Sequence, residues 1–375
     1  MKVLILSCNT GEGHNAAGRA MKERIEYEGH QASMLDIMML GGKKTSRIVG
    51  GLYVKIARDF PHFFGFIYRI GGLISSARHK SPVYYANALL AKPLKKYLEE
   101  HETDVIVMPH LYPAETVTYM KRKGMLTAKT VAIATDYTCI PFWEETECDC
   151  YILPNEDLMD ENESRGMDRS RMFPYGIPVS MTFAEKKDKT EAKKRLKLPA
   201  DKPMYLVMSG SMGFGKIHLF AYELAKKCVN GESIVIICGN NNKMRRTLHG
   251  IYKGNENVHV VGFTSHVSEY MDACDVVYTK PGGLTSTEAL VKNVPIVHTV
   301  PIPGCETRNM EFFTSRGISV ASEKIHTQVA QGRTLVEDEQ IRNGMLSAQH
   351  RYAKPNASGD IFRLLLRLCG EENKA

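Results

Sequence analysis

The sequence predicts an α/β protein built on two doubly wound parallel sheets, and three observations carry that prediction. Short apolar runs of the buried-strand type recur along the chain, from Lys2-Val3-Leu4-Ile5-Leu6 to Pro295-Ile296-Val297-His298. Each run breaks at glycine, proline or polar residues before a helix-like stretch, the alternation expected of βαβ units. At 375 residues the chain is long enough for two such units, each with its own core.

The first strand leads into Gly11-Glu12-Gly13-His14, read as a loop, and then into a helix over Ala16 to Ile25. Gly11, Gly13 and Gly18 miss the last spacing of the dinucleotide fingerprint. His14 is either a structural or solvated histidine or a functional one; its place at the carboxyl end of a strand, where open α/β sheets put ligands, favours function. Asp104 to Met108 is the next strand and ends at Pro109-His110; Thr130 to Ala134 follows and ends at Thr135-Asp136-Tyr137. Tyr151 to Asn155 comes next, and the Pro/Gly-rich exit Phe173 to Val179 marks the end of the first domain.

The second half opens with a charged helix over Thr190 to Leu198 and the strand Met204 to Met208. A glycine-rich loop, Ser209-Gly210-Ser211-Met212-Gly213-Phe214-Gly215-Lys216, follows. It has most of a P-loop, but Ile217 stands where that motif needs Ser or Thr for magnesium, so a loop approaching another ligand fits better. Ser233 to Cys238 closes with Gly239, and Val258 to Val261 closes with Gly262-Phe263.

Then comes the stretch around which the chain is organised, Thr279-Lys280-Pro281-Gly282-Gly283-Leu284-Thr285-Ser286-Thr287-Glu288. Two glycines at a strand-to-helix turn let backbone N–H groups close on a ligand, the helix dipole adds positive potential, and Lys280 adds a point charge; together they suit a diphosphate. Thr285 to Glu288 also has capping-box spacing, so these residues alone leave phosphate binding and plain capping both open. Pro301 to Asn309 follows the last strand, and Asp360 to Leu366 reads as a final apolar helix.

Charge is concentrated. Residues 41–100 hold eleven Lys/Arg against three acids, an excess of eight, where the whole chain has +7. Aromatic and aliphatic residues, Phe60 to Ile74, are interleaved with that charge, which suits an anionic membrane interface as well as it suits a packed helical insert with a solvated face. No nucleic-acid-binding signature accompanies it. Nine irregularly spaced cysteines argue against a disulfide scaffold, and Cys148-Asp149-Cys150 lacks the second pair a metal site would need. No metal or cofactor is expected. Met1 to Cys8 is too short for a signal segment and no apolar run reaches bilayer length, so a cytosolic protein is expected. The chain contains no Asp-x-Asp pair, the simplest clamp for magnesium on a sugar nucleotide, so a bound diphosphate would rely on backbone donors and Lys280.

Together these blocks resemble glycosyltransferase family 28, specifically the monogalactosyldiacylglycerol synthase and processive diacylglycerol glucosyltransferase group. The resemblance runs through Gly11 to His14, the Phe-Gly-Phe-Ile-Tyr segment ending at Tyr68, Thr135-Asp136-Tyr137 with Trp143, the loop from Ser209 to Gly215, Lys280 to Glu288, and Pro301 to Asn309. It implies a GT-B fold of two Rossmann-like domains: 1–182 for acceptor and membrane, 183–355 for the UDP-sugar donor, and a C-terminal helix, 356–375, able to return to the first. It implies that Ser209, Gly210, Ser211, Met212, Gly213, Gly239, Lys280, Gly282, Gly283 and Thr285 bind UDP, that Gly262 and Phe263 flank uracil, that Glu288 binds ribose, and that Cys305, Glu306 and Asn309 meet the donor sugar. Two positions depart from the group's pattern: Cys305 replaces a common Gln, which bears on the sugar, and Ile140 replaces a common His, which bears on acceptor handling.

The expected function is therefore an inverting, metal-independent transfer of glucose or galactose from UDP to diacylglycerol by a peripheral protein on the inner membrane face. His14 is the expected general base and Asp136 the second candidate, the first by its loop position and an ordinary pKa near neutrality. Two rivals stand beside it: a UDP-sugar epimerase of the same fold, and a membrane-associated UDP-sugar-binding protein without turnover.

Overall fold

A computed structural model describes residues 1–9, 11–42, 60, 66, 69–71, 73–76, 79–208 and 217–371. Two compact units emerge. Unit 1 comprises Met1–Met181, Pro303–Cys305 and Lys354–Ala375, and unit 2 comprises Thr182–Ile302 and Glu306–Ala353.

Unit 1 runs β1 (Lys2–Ser7), α1 (Glu12–Tyr27), β2 (Gln31–Asp36), α2 (Pro82–Ala88), α3 (Ala91–Glu100), β3 (Val105–Met108), α4 (Leu111–Arg122), β4 (Lys129–Ile133), β5 (Cys150–Ile152), α5 (Met159–Ser164) and β6 (Met172–Phe173). Its strands form one parallel sheet in the order β2-β1-β3-β4-β5-β6. Successive side chains of each strand serve opposite layers. Leu4, Leu6, Ile106 and Met108 meet Leu94 and the α4 residues Ala114, Val117 and Met120 on one side. Val3, Ile5, Val105 and Val107 meet Met21 and Ile25 of α1 on the other, together with Ile361 and Leu365 of the last helix.

Unit 2 runs α6 (Lys189–Arg195), β7 (Met204–Met208), α7 (Ile217–Ala225), β8 (Ser233–Ile237), α8 (Asn242–Ile251), β9 (Val258–Val261), α9 (Val267–Ala273), β10 (Val276–Thr279), α10 (Gly283–Lys292), β11 (Ile296–His298), α11 (Cys305–Ser315), β12 (Val320–Ala321), α12 (Ile325–Glu337) and α13 (Glu339–Tyr352). Its parallel sheet has the order β12-β11-β10-β7-β8-β9. The chain then ends in α14 (Ala357–Leu368), which lies against α1 in unit 1.

Two parallel six-stranded sheets agree with the expected α/β class. Three strands escape the sequence reading. β2 is polar and half-exposed, while β6 and β12 have two residues each, and all three are edge strands that carry little apolar signal. The first helix begins earlier than expected. α1 starts at Glu12 because Gly11 takes an extended backbone as its N-cap and Glu12 pairs with Arg19 at 2.9 Å, so Gly13 and His14 are helical rather than in a loop. Gly18, which misses the dinucleotide spacing, still does a helix–sheet job: a Cβ there would sit 3.1 Å from Ile5 Cγ2 and 3.0 Å from Met34 Cε.

A buried carboxyl in unit 1 has a thermodynamic consequence. Glu115 of α4 is fully buried and accepts from Asn87 Nδ2, and its Oε1 has no partner among the described residues. Burial pushes its pKa up to about 8; the Asn87 hydrogen bond opposes, Glu145 adds to the rise and Lys80 opposes. The folded chain thus keeps a proton that the unfolded chain releases near pH 4.5, so stability contributed here falls as pH rises towards 8. The slope limit for one proton is ~1.4 kcal/mol per pH unit. Glu115→Gln cannot ionise and should gain about 2 kcal/mol on wild type between pH 6 and 8, read by urea unfolding at both pH values. An unchanged difference across that range would exclude the linkage.

Candidate active site

In unit 1 the direction of strand addition reverses between β1 and β3, and ligands of open α/β sheets bind at the carboxyl ends beside such a point. His14 follows β1, Pro109 and His110 follow β3, and Thr135 and Asp136 follow β4. The fold brings them together. His14 is half-buried in the first turn of α1. Its Nδ1 lies 3.0 Å from the Pro109 carbonyl and 2.8 Å from Thr135 Oγ1. A carbonyl only accepts, so Nδ1 carries the proton and Nε2 is left as the bare, basic nitrogen. Burial lowers the His14 pKa, while the Asp136 carboxylate and the Pro109 carbonyl pull it back up. Burial thus favours the neutral imidazole at this site, and the nearby carboxylate opposes it.

His110 is the neighbour that sequence reasoning did not select. Its ring stands edge-on to His14 with centroids 4.5 Å apart. It caps α4 by accepting from the Tyr112 N–H at 3.1 Å, so its proton is on Nε2. Burial first, and then the charge of His14, hold it well below the ordinary imidazole range. A His two residues past a β-strand and directly before an apolar helix has the N-cap position, a local signal for its capping role alone.

In unit 2 the reversal falls between β7 and β10. The loop after β7 includes Ser209, Gly210, Ser211, Met212 and Gly213, which lie outside the described residues. The loop after β10 is Lys280 to Gly282, and α10 starts at Gly283 with Gly282 as N-cap and no side-chain cap hydrogen bond. This decides against the capping box. That motif would put the N-cap at Thr285 and Glu288 at the third helical position, whereas Glu288 lies more than a turn inside α10 and is half-buried. Among the described residues, no side chain caps the first turn of α10 at the sheet's switch point, the arrangement that suits an anion.

The remaining expected donor residues brace that turn. Lys280 Nζ is hydrogen-bonded to Glu306 Oε1, and Glu306 Oε2 accepts from the Ile302 N–H at 2.8 Å. Asn309 is fully buried and donates to the Pro281 carbonyl at 3.0 Å. So the start of α11 is strapped to the β10–α10 loop by two side chains. Behind α10, Ser286 Oγ and Ser319 Oγ lie 3.0 Å from the two ring nitrogens of His298, whose pKa burial pushes down to about 3. Thr285 and Cys305 are half-buried. Gly239, two residues past β8, has a φ of 54°, a left-handed backbone that suits glycine. A Cβ on Gly262 would meet Arg245 Cδ at 3.2 Å, and the neighbouring Phe263 is 69% exposed.

Comparison with known proteins adds two family matches. Residues 14–179 match monogalactosyldiacylglycerol (MGDG) synthase, and residues 188–353 match glycosyl transferases group 1. Similar relatives include the processive diacylglycerol beta-glucosyltransferase of Bacillus licheniformis, 26% identical over 347 residues, which are 92% of this chain and 88% of that one. The probable monogalactosyldiacylglycerol synthase 2, chloroplastic, of Oryza sativa subsp. indica is 29% identical over 390 residues, 98% of this chain and 80% of that one. Among solved structures, MurG of Acinetobacter baumannii superposes with a TM-score of 0.62 at 15% identity, covering 98% of this chain and 99% of that one. The likeness in structure is one of fold, and it places both units in the GT-B class of paired Rossmann-like domains.

Proposed function

The chain is a relative of the monogalactosyldiacylglycerol synthase and processive diacylglycerol glucosyltransferase group of glycosyltransferase family 28, and on that footing we propose that it transfers a hexose, glucose or galactose, from a UDP-sugar to diacylglycerol with inversion and without a metal. The observation that carries the reading is the uncapped start of α10 at a switch point, beside Lys280. The N–H groups of the first three helical residues, Gly283 to Thr285, which no side chain caps among the described residues, plus the Lys280 ammonium, supply the neutralisation that UDP needs as a leaving group. The sequence offers no Asp-x-Asp alternative.

In this mechanism the lipid's hydroxyl oxygen bonds to the anomeric carbon from the face opposite UDP. Its proton passes to His14 Nε2, and the bond to the diphosphate oxygen breaks with its electron pair staying on UDP. The Pro109 carbonyl keeps the other ring nitrogen protonated, so only one tautomer is presented. Asp136 stabilises the imidazolium that forms. Glu288 contacts ribose, Gly262 and Phe263 flank uracil, the loop from Ser209 to Gly213 with Gly239 completes the UDP site, and Glu306, Asn309 and Cys305 line the sugar side. Glu306 and Asn309 do so partly through the loop they brace.

Attachment to an anionic inner membrane face fits the exposed side chains of Phe66, Ile70, Leu73, Ile74 and Leu89, with Leu73 85% and Leu89 80% exposed. Among the described residues no helix is long and apolar enough to cross a membrane. Mass spectrometry of lipids after incubation with a UDP-sugar mixture and diacylglycerol tests the reading: a hexosyl-diacylglycerol product supports it. Isomerised UDP-sugar without lipid product would mean the epimerase, and calorimetric UDP binding without turnover would mean the non-catalytic protein.

A further inference from the structure

We propose that unit 2 carries a lipid-contacting face of its own, formed by the outward flanks of α7 and α8, that rests on an anionic bilayer. The proposal builds on the membrane acceptor proposed above and adds a second contact, far in sequence from residues 41–100.

The two helices share one layer. Phe220, Ala221 and Leu224 of α7 and Leu248 of α8 point into a single core cluster with Tyr205, Val207, Ile234 and Ile236 of the sheet. Parallel crossovers from β7 to β8 and from β8 to β9 are right-handed, which puts α7 and α8 side by side on one face. Tyr252, just past α8, packs against the same cluster as the inner side chains of α7.

What they turn outward is unlike an ordinary solvated face. Leu219 and Tyr222 of α7, Val229 in the loop that follows it and Ile251 at the end of α8 are all exposed, Val229 at 74% and Ile251 at 56%. Leu219, Tyr222 and Lys226 recur at the helical spacing that makes one stripe. Lys226, Lys227, Lys243, Arg246 and Lys253 are exposed around them, and the Lys226 ammonium lies 5.3 Å from the Tyr222 ring centroid. Residues 217–253 hold six Lys/Arg against two acids, and one of the two, Glu232, is buried against Arg333 at 3.6 Å. The whole-chain average hides this second basic region, because unit 1 outside residues 41–100 is net acidic and offsets it. Exposed aliphatic and aromatic side chains set among lysines match a bilayer with anionic headgroups: the lysines meet phosphates while the apolar groups enter the interface. A soluble protein partner of opposite charge would match the lysines but leave Val229 and Ile251 needing a shaped pocket; a bilayer needs none.

A reporter placed on the face tests this. The chain has one tryptophan, Trp143, and it is buried, so Val229→Trp adds a second indole whose emission can be followed against a steady background. The full chain is mixed with phosphatidylcholine vesicles, with and without phosphatidylglycerol, in the absence of any sugar nucleotide. The expected result is a blue shift at position 229 on anionic vesicles only, quenching by brominated acyl chains, and reversal by high salt. Adding Lys226→Glu, Lys227→Glu and Lys253→Glu, all at exposed positions, should cut partitioning of that face at least about tenfold. If the chain sediments with the vesicles but the indole at 229 does not shift, this face is overturned while the lipid-acceptor reading stands. If the shift follows protein concentration without lipid, a second copy covers the face and the proposal falls. If no vesicle binds the chain, this proposal falls too, and the lipid-product assay decides the function separately.

Discussion

His14→Gln should lower kcat by roughly 10²–10⁴-fold while leaving UDP affinity near wild type. The loss is specific to the step that removes the acceptor's proton, because Gln offers no basic nitrogen where Nε2 stands. The amide can still donate to the Pro109 carbonyl and the Thr135 hydroxyl, so the first turn of α1 keeps its contacts. The pH profile provides a second reading of the same group. Burial sets the His14 pKa below the ordinary imidazole value and the Asp136 carboxylate raises it. The acidic limb of kcat/KM should therefore lie below pH 6.5, and Asp136→Asn should move it lower still, since the neutral amide removes the upward pull. Asp136→Asn should also slow turnover, because the imidazolium loses its stabilising charge. Near-wild-type turnover in His14→Gln would end its assignment as base. An acidic limb that moved up in Asp136→Asn would end the coupling between the two side chains.

The sheet scaffold was legible because its central strands are covered on both faces. Val105-Ile106-Val107-Met108 and Ser233-Ile234-Val235-Ile236-Ile237 are continuous apolar runs, the pattern of buried parallel strands, and the structure finds them as β3 and β8. Edge strands lack that signature, so Gln31 to Asp36 drew no strand reading although it pairs along its whole length with β1. Helix starts were less legible than helices. Both key turns begin at a glycine with no side-chain cap, so neither Gly11 nor Gly282 announced itself as an N-cap in the way a Ser or Asp would. At 279–288 the residues permitted two readings of equal local merit, and only the position of the first helical residue separates them. His110 stayed hidden for a different reason. Its role depends on β1, β3 and β4 ending together, a fact of strand order that no local spacing encodes. The brace on the α10 turn was hidden likewise: Glu306 and Asn309 reach Lys280 and Pro281 across more than twenty residues of sequence.

Lys292→Met should destabilise unit 2 by about 3–5 kcal/mol, the cost of leaving a buried carboxylate unpaired. Lys292 ends α10, and its side chain and that of Asp272 are both sealed from solvent. The ammonium donates to both Asp272 carboxylate oxygens at 2.9 Å and to the Glu185 carbonyl, which uses all three of its protons. Burial lowers the Lys292 pKa and the Asp272 hydrogen bond and charge oppose that, so the pair stands or falls as a unit. Methionine fills much of the lysine stem's volume, and so the predicted loss comes from Asp272 rather than from a cavity. The double change Lys292→Met with Asp272→Leu should recover most of the stability, since apolar groups of similar size replace such a pair at little net cost. Urea unfolding of the three proteins measures this, following the transition that UDP shifts to higher denaturant so that the two units are not averaged. The same pair fixes the far end of the helix whose near end starts at Gly283. A helix held at one terminus alone cannot keep its opposite N–H groups aimed, so the single variant should also bind UDP more weakly and the double variant should not. A single variant within about 1 kcal/mol of wild type would show that Asp272 finds water or a proton instead, and would remove the pair from the list of what orients the α10 turn.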